Sequence, residues 1–597
     1  MKNAWKNMNA AMPYLPSGAK RYMYVYMVLS SLLALLDIAA LMILGLSMTS
    51  MMQGNPVNIP IIGEFPPDRY VVLLAFVSGL ILVRSFLSLT QQWFATRKFA
   101  TFELALGTEL FDAYLRAPWL ERLSRTTSQL VRMADVGVAA INAGLILPLM
   151  QLPAMIVSAI TIVVTLFIVQ PVTAIITLVY LGLIAVLLQF VLGRRTVQAG
   201  KVNRNYSFKV ASLMTDMVGA FKEVTLRDKV GEVAQVVENN RAHATRARAN
   251  MQFLASVPKF VLDSALIGGF LVVGLGSYLI DGSLDAAIGA VVMFAVAGLR
   301  LVPALTGFQS TVNQLNASQS QVEAVLFDIE DAKRYRAAAT ELGNEPLAGH
   351  PTSVRLENVT FTYPTRQQPA LANVSLEIPF GSTAGLVGES GSGKSTLVDM
   401  LLGLFMPQEG DIFIGKQRLE DVMKSWRARV GYVPQEVSLF DGSIEQNVAL
   451  TWSGDIDRDK VIECLKKAQL WETVKNREGG LTARIGERGM AFSGGQRQRL
   501  GIARALYSDP LVLILDEATS ALDTKTEAEV AKAVHALRGE VTVISVAHRL
   551  STVKDSDQLF YLEDGHLLAT GTFDEVVGEV PTFAQQARLA GLLGDSK

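Results

Sequence analysis

The sequence predicts a multi-domain protein in which an all-α transmembrane domain of six helices precedes an α/β domain built around a glycine-rich loop. Six long apolar stretches fill the first half of the chain, and the glycine-rich loop follows a short strand-like run in the second half. Half of the 597 residues are hydrophobic and 18% are charged, with a mean hydropathy of +0.31. This composition is too apolar for an ordinary soluble chain of that length.

The six apolar stretches approach or exceed the roughly 20 residues that are needed to cross the hydrocarbon core of a bilayer. They lie at about 22–48, 70–93, 138–168, 171–192, 256–280 and 286–308. A single stretch of this kind could be a buried core helix of a soluble protein. Six stretches with a consistent charge pattern between them favour membrane spans.

Lys and Arg residues are concentrated in alternate connections. They crowd the segment before the first span and the connections 94–137 and 193–255, whereas 49–69, 170–171 and 281–285 are nearly free of them. Because basic connections stay in the cytoplasm, this pattern places both termini and the C-terminal domain there. We therefore expect a multi-pass protein of the cytoplasmic (inner) membrane. The two basic connections are too long for turns and should extend the membrane helices.

The glycine-rich loop follows the apolar run 384–387 and has the pattern G-x-x-x-x-G-K-[ST], which is typical of a phosphate-binding loop. Its backbone N–H groups converge on phosphate oxygens, its lysine reaches the terminal phosphates and its serine hydroxyl binds Mg²⁺. We expect Ser395 to bind the metal. The predicted nucleotide contacts are Gly388, Ser390, Gly391, Ser392, Gly393, Lys394, Ser395 and Thr396.

A second apolar run, 511–515, ends in Asp516 and Glu517. This is the form of a buried parallel strand that delivers two carboxylates at its C-terminal end. One carboxylate can hold a metal while the other orients a water molecule. We assign Asp516 to Mg²⁺ and Glu517 to the water.

A third motif lies between these two elements and consists of Ser493, Gly494, Gly495 and Gln496, followed by a helical pattern through Ala505. With this motif in place, residues 350–580 resemble the nucleotide-binding domain of ATP-binding-cassette transporters, and the motifs occur in the family's order. The resemblance implies an α/β P-loop ATPase domain with a helical subdomain, which binds ATP and Mg²⁺. It also implies that the four residues of the third motif contact nucleotide.

The same resemblance assigns roles to single residues. Tyr363 is similar to the aromatic residue that stacks on adenine, and Asp523 to the last residue of the D-loop, a further nucleotide contact. Gln435 is similar to the Q-loop glutamine, which serves the metal and catalysis. His548 is similar to the histidine that contacts the γ-phosphate. Glu517, His548 and Gln435 are therefore the expected catalytic residues.

One position departs from the family pattern. Phe492 stands where the family usually has Leu, directly before the third motif. We expect this side chain to pack behind the loop while Ser493 and Gly495 face the phosphate, so that hydrolysis is little affected.

The chain carries one membrane domain and one ATPase domain, so it corresponds to half of a transporter. The loop at Ser493 should lie too far from Lys394 of the same chain to touch the same ATP. A second subunit must then complete the site, and a homodimer is the simplest assembly. A heterodimer with a related half-transporter is the alternative.

The exporter architecture that this chain resembles bends each pair of helical extensions through a short coupling helix. We expect bends at 117–120, where Pro118 breaks the helix, and near 214–224. A membrane-surface turn with an interfacial tryptophan is the alternative at the first position. The expected domain limits are 1–325 for the transmembrane domain, 326–350 for a linker and 351–597 for the ATPase domain.

The ionisable residues within the spans include Asp37, Arg84, Asp263 and Arg300. Such residues are costly and face a cavity or one another. Asp263 and Arg300 have similar depths, which allows them to pair. Since arginine binds phosphate bidentately, our hypothesis is that Arg84 and Arg300 hold an anionic headgroup. Asp37 is the third candidate substrate residue. Internal salt bridges, or snorkelling to the interface, are the alternative.

A weaker resemblance concerns the substrate. The stretches 35–41, 114–119 and 222–224 look like those of bacterial flippases for lipid-linked oligosaccharides, which have Glu in place of Asp37 and Tyr in place of Trp119. It implies export or flipping of an amphipathic, lipid-linked saccharide, with membrane lipids as neighbours.

The sequence is also compatible with other functions. A multidrug exporter, or a phospholipid or lipid A-type exporter, would use the same scaffold. A nucleotide-gated membrane protein that does not pump is disfavoured by Glu517 and His548. The six spans exclude a soluble cassette protein that acts on nucleic acid.

Overall fold

The computed structural model describes residues 2–52, 56–59, 63–123, 137–340, 343–452, 454–486, 489–518, 524–547 and 549–593. The chain divides into two compact units. The first comprises Met1–Ala117 and Glu121–Ala337, and the second comprises Pro118–Leu120 and Ala338–Lys597.

The first unit is almost entirely helical in the residues that are described. Its elements are α1 (Lys2–Ala11), α2 (Ala19–Met52), β1 (Val57–Ile59), β2 (Gly63–Phe65), α3 (Tyr70–Arg116), α4 (Trp119–Leu123), α5 (Val138–Ile141, the π-helical turn Asn142–Ile146 and Leu147–Val169), α6 (Pro171–Gly219), α7 (Phe221–Leu226), α8 (Val230–Asp281) and α9 (Leu284–Thr340). The first two residues of α4 belong to the second unit.

Six of these helices, α2, α3, α5, α6, α8 and α9, are long and apolar enough to cross a membrane, counted over the described residues. The expected all-α, six-helix fold class of this half is therefore confirmed. Four of them extend far beyond their apolar stretches: α3 reaches Arg116, α6 reaches Gly219, α8 begins at Val230 and α9 continues to Thr340. The first part of the expected linker, residues 326–340, therefore belongs to α9. This segment contains no Gly or Pro that would end the helix.

Both expected bends correspond to breaks between helices. Ala117 has an extended backbone, as the residue before a proline prefers, so α3 ends and α4 starts at Trp119. Trp119 and Leu120 pack against the hydrophobic core of the second unit, to which they belong. The second bend falls within the expected range, because α6 ends at Gly219 and α7 spans Phe221–Leu226.

Small residues allow α9 to approach two other helices closely. A Cβ atom on Gly200 of α6 would lie 2.2 Å from the carbonyl oxygen of Ala317 in α9, and one on Gly144 of α5 would lie 2.5 Å from the side chain of Ser318. The π-helical turn is also bound by α9, since Gln314 donates to the carbonyl oxygen of Ala143 at 2.9 Å. These contacts pack α9 against α5 and α6.

The second unit contains two sheets within its described residues. Its strands are β3 (Ser353–Phe361), β4 (Leu371–Pro379), β5 (Thr383–Gly388), β6 (Glu409–Ile414), β7 (Gln417–Arg418), β8 (Val430–Val433), β9 (Val512–Asp516), β10 (Thr542–Val546), β11 (Gln558–Glu563) and β12 (His566–Gly571). The larger sheet has the order β12-β11-β5-β10-β9-β8, and the smaller antiparallel sheet has the order β4-β3-β6-β7.

Helices complete this unit. They are α10 (Lys394–Leu401), α11 (Leu419–Arg427), α12 (Ile444–Ala449), α13 (Arg458–Lys467), α14 (Trp471–Lys475), α15 (Gly494–Leu506), α16 (Thr524–His535), α17 (Phe573–Glu579) and α18 (Pro581–Leu589). Helices α12 to α15 share a hydrophobic core of their own with β8 and β9, and they form the helical subdomain.

The strand order of the larger sheet positions the functional residues. Strands β11, β5, β10, β9 and β8 pair in parallel. The glycine-rich loop follows β5, and Asp516 and Glu517 stand at the end of β9, so both lie at the same carboxyl edge with only β10 between them. Open parallel sheets bind their ligands at this edge.

The close contact at Gly200 can be tested by substitution. We expect Gly200→Ala to destabilise the protein by roughly 1–3 kcal/mol, because the added methyl group would overlap a backbone oxygen. Gly182→Ala is the matched control in the same helix, since nothing lies within 4 Å of its added Cβ. The measurement is the thermal unfolding midpoint in lipid nanodiscs, and equal midpoints for the two variants would contradict the prediction.

Candidate active site

The glycine-rich loop curls tightly between β5 and α10. Gly388 has φ +147° and Gly393 has φ +102°, both in the region that favours glycine. A Cβ atom on Gly388 would lie 2.1 Å from the carbonyl oxygen of Leu562, and one on Gly393 would lie 2.4 Å from that of Ala370. No side chain fits at these two positions, so the loop forms a cradle of bare backbone at the start of a helix, which suits a phosphate group.

Lys394 closes this cradle. Its ammonium group donates to the carbonyl oxygens of Gly388 at 2.8 Å and Glu389 at 2.7 Å, and to Oγ of Ser392 at 3.3 Å. Burial lowers the pKa of Lys394, and the carboxylates of Glu517 and Asp516 oppose this shift. The three N–H groups of the Lys394 ammonium thus donate to neutral oxygens of the loop. The charged oxygens of a phosphate group would accept stronger hydrogen bonds from them.

A cavity of about 1100 Å³ opens beside the cradle. Tyr363 lines it and donates to, or accepts from, the hydroxyl of Thr396 at 3.1 Å. Perpendicular contacts with Phe361 (5.1 Å) and Phe405 (5.8 Å) fix the orientation of the Tyr363 ring. The predicted contacts that line the cavity are Tyr363, Gly388, Ser390, Gly391, Gly393, Lys394, Ser395, Thr396 and Glu517, whereas Ser392 is buried within the loop.

Glu517 faces the cavity from a strained backbone. Its φ is +49°, a left-handed conformation that is unusual for a residue with a side chain, and its N–H donates to the carbonyl oxygen of Val546 at 3.2 Å. The next strand therefore stabilises the turn that directs Glu517 toward the cavity. Strain of this kind is found at functional sites.

Asp516 is not among the residues that line the described wall of the cavity. Burial raises the pKa of its carboxyl group, while a hydrogen bond that Tyr432 donates to Oδ2 at 3.1 Å lowers it. Burial and the charge of Asp516 raise the pKa of Tyr432, so this hydroxyl keeps its proton and acts as the donor.

Sequence analysis missed a third acidic residue, Asp399 of α10. Burial, and then repulsion by Asp516, raise the pKa of Asp399 to about 6. A signal for it exists in the sequence, because Asp399 lies four residues after Ser395 and helical side chains at that spacing share a face.

The oxygen ligands fit a magnesium ion. Ser395 supplies a hydroxyl and Asp516 a carboxylate, and Mg²⁺ usually takes one or two carboxylates together with substrate phosphates. Among the described residues, no group of three His, Cys, Asp or Glu side chains could hold a metal alone.

The remaining motif residues lie elsewhere. Ser493 caps α15, with Ser493 and Gln496 exchanging side-chain to backbone hydrogen bonds. The four residues Ser493, Gly494, Gly495 and Gln496 do not line the described wall of the cavity that contains Lys394. The packing expected for the Phe492 side chain is observed, since its ring is buried in the core of the helical subdomain and Arg477 lies over it.

The remaining expected site residues are Gln435, His548 and Asp523. Gln435 follows β8, and its backbone carbonyl accepts from Nε2 of Gln498 at 2.5 Å. His548 and Asp523 lie outside the described residues, although Ala547 and Arg549 on either side of His548 line the cavity.

Three of the charged residues within the spans, Asp37, Arg84 and Arg300, form one cluster in the first unit. The Asp37 carboxylate of α2 lies 3.7 Å from Arg84 of α3 and 3.5 Å from Arg300 of α9. Arg300 thus pairs with Asp37 and not with Asp263, because similar depth does not determine which helix faces meet. The structure brings Asp37, Arg84 and Arg300 together, and one carboxylate shared by two guanidinium groups leaves a net charge of +1.

Comparison with known proteins matches both halves of the chain to family models. Residues 371–520 match the model described as ABC transporter, and residues 23–299 match that described as ABC transporter transmembrane region.

Several characterised relatives are similar to this chain. An ATP-dependent lipid A-core flippase of Photobacterium profundum is 36% identical over 356 residues, which are 59% of each chain. The flippase of that name from Escherichia coli K12 is 32% identical over 66% of this chain and 67% of its own. A sophorolipid transporter of Starmerella bombicola is 42% identical over 38% of this chain, but only 18% of its own.

A solved structure shows a similar fold over almost the whole chain. It is described as a bacterial Atm1-family ABC exporter with ATP bound, and it aligns with a TM-score of 0.76 over 98% of this chain and 100% of that one. The sequence identity is 22%. The agreement concerns the fold alone.

Asp399 gives a pH-dependent prediction. Because its pKa is about 6 in the folded protein against 3.8 ordinarily, the folded protein loses stability as the pH rises through this window and the buried carboxyl becomes charged. We expect Asp399→Asn to remove this loss in the free energy of unfolding, which is about 1–2 kcal/mol after allowance for solvent screening of the half-buried group. The variant should therefore be more stable than the wild type by this full amount above about pH 7, and equally stable near pH 4.

The measurement is the thermal midpoint of nucleotide-free protein across this pH range. Asp564→Asn, in the exposed turn between β11 and β12, is the control for loss of a carboxylate. If Asp399→Asn raised the thermal midpoint equally at all pH values, the raised pKa of Asp399 would be contradicted.

Proposed function

Since this chain belongs to the ABC transporter family, we propose that it uses ATP hydrolysis to export or flip an amphipathic, lipid-type substrate across the cytoplasmic membrane. The observation that carries the proposal is the combination of a complete phosphate cradle and carboxylate pair with a cationic cluster inside the membrane helices. The connections between the spans that are rich in Lys and Arg support a topology with both termini in the cytoplasm.

At the ATPase site, Tyr363 stacks on the adenine ring and Lys394 exchanges its loop carbonyls for the β- and γ-phosphate oxygens. Ser395 and Asp516 would hold Mg²⁺, which neutralises charge on those phosphates when it is bound. Glu517 polarises the water that attacks the γ-phosphate. In this proposal Gln435 serves the metal and water, and His548 stabilises the γ-phosphate.

Two subunits are needed for a complete site. Because the loop at Ser493 does not line the described part of the cavity beside Lys394, it is available to a second subunit. We infer a homodimer in which Ser493 of one subunit covers the ATP on Lys394 of the other, and in which Asp523 also contacts nucleotide. Closure of this interface around ATP would reorient the membrane helices, with force passing through the bend at Trp119.

The membrane cluster supports an anionic headgroup. Arg84 and Arg300 carry two charges against one on Asp37, so the cluster can accept an anion without leaving a carboxylate unpaired. A guanidinium group binds phosphate bidentately, and the guanidinium groups of Arg84 and Arg300 both remain charged. A lipid-linked saccharide carries its phosphate next to the lipid chain, which fits a cluster inside the membrane. This is our preferred substrate class.

A second substrate class is favoured by a specific observation. Two of the relatives compared above are lipid A-core flippases. A lipid A-type or phospholipid substrate would use the same arginine pair, so the cluster alone does not distinguish these lipids.

Glu517→Gln tests the ATPase assignment. We expect ATP hydrolysis in lipid nanodiscs to fall by about 100-fold or more, because the neutral amide cannot polarise the water. ATP binding, measured in parallel, should be retained. Hydrolysis at the wild-type rate would contradict the role of Glu517.

Arg84→Ala combined with Arg300→Ala tests the substrate class. The readout is the stimulation of hydrolysis by polyprenyl-diphosphate saccharides, lipid A, phospholipids and drug-like amphiphiles. We expect loss of at least about 10-fold in apparent affinity for the phosphate-bearing lipid that stimulates the wild type, since one charge-assisted pair contributes about 1.5–3 kcal/mol. Basal hydrolysis should persist.

Arg194→Ala is the matched control, because this arginine lies over the ring of Phe190 in α6 and away from the cluster. Unchanged stimulation in the double variant would contradict the anionic-headgroup proposal. Stimulation by uncharged amphiphiles alone would indicate a multidrug exporter.

A further inference from the structure

Tyr432 is part of no motif that the sequence analysis identified, yet it touches the metal-binding edge of the sheet. It lies in β8, which pairs in parallel with β9, and its register partner is Ile514. Side chains two residues apart on a strand share a face, so Tyr432 and Asp516 lie on the same side of the sheet. The long tyrosine side chain leans along the strand and its hydroxyl reaches Oδ2 of Asp516 at 3.1 Å.

This contact restricts the carboxylate. With Oδ2 held by the phenol, rotation of the Asp516 carboxylate about its last torsion is limited, and its other oxygen remains for a cation. Groups that bind a metal-binding side chain in this way orient it and tune its affinity for the metal. Tyr432 is 39% exposed, and the hydrogen bond of its hydroxyl to Asp516 is the contact that bears on the carboxylate.

The same strand leads to the Q-loop. Gln435 is three residues after Tyr432, and its carbonyl is held by Gln498 of α15. Tyr432 therefore lies in the strand that precedes Gln435, and its hydroxyl contacts the carboxylate at the end of β9.

We propose that Tyr432 is a positioning residue for magnesium, which holds the Asp516 carboxylate in the orientation that binds the Mg²⁺ of Mg·ATP. The inference rests on the proposed function, because it requires that this site binds Mg·ATP. It adds a residue that sets how much Mg²⁺ the site needs.

Tyr432→Phe tests the inference, since it removes the hydroxyl and keeps the ring. The measurement is binding of the non-hydrolysable analogue AMP-PNP to the full chain in nanodiscs, at graded Mg²⁺ concentrations and in EDTA. Mn²⁺ binding, followed by electron paramagnetic resonance, provides a second readout. We expect the half-saturating Mg²⁺ and Mn²⁺ concentrations to rise about 10-fold, the low end for loss of a group that supports a metal-binding side chain. Affinity in EDTA should not change.

Tyr561→Phe is the matched control. Its hydroxyl contacts Thr582 at 3.1 Å and lies outside the cavity wall, so removal of that hydroxyl should not change the metal requirement. Equal half-saturation in Tyr432→Phe and wild type would overturn the inference while the proposed function stands. An equal loss of affinity in EDTA would also overturn it, because the tyrosine would then support the fold of the pocket and not the metal. Absence of nucleotide binding in the wild type would overturn the proposed function and this inference with it.

Discussion

The parallel pairing of β5, β10 and β9 is the constraint on which the site depends. Parallel strands end at one edge of a sheet, so the loop after β5 and the carboxylates of β9 meet there although more than a hundred residues separate Lys394 from Asp516. Glu517 is placed by the same pairing, because its strained backbone is held by the carbonyl of Val546 at the end of β10. A shift of register between β9 and β10 would separate the groups that must act together.

Charges of both signs meet at this edge. The half-buried ammonium group of Lys394 lies near the carboxylates of Asp516 and Glu517, and Asp399 lies close to Asp516 with a raised pKa. Arg366, Arg549 and Glu389 also line the cavity. The basic side chains suit the phosphates of a nucleotide and the carboxylates suit a divalent cation, and Tyr432 donates a hydrogen bond to one of these carboxylates.

The membrane unit shows the opposite balance. Asp37 is shared by two arginines, which leaves positive charge where hydrocarbon would otherwise surround the helices. Such charge is costly in a bilayer, so residues of this kind pair with one another or face a cavity. The close packing of α9 against Gly144 and Gly200 fixes the helix that carries Arg300, so movement of α9 would carry this charge with it.

The sequence by itself determined the two-domain organisation, the six spans, the phosphate cradle and the strand that ends in Asp516 and Glu517. These features are local, since hydropathy over about 20 residues and a motif of eight residues need no knowledge of distant contacts. Only the tertiary structure decided that Arg300 pairs with Asp37 and that Tyr432 contacts Asp516. Those pairs depend on which helix faces and strand registers meet, and neither composition nor spacing along the chain contains that information.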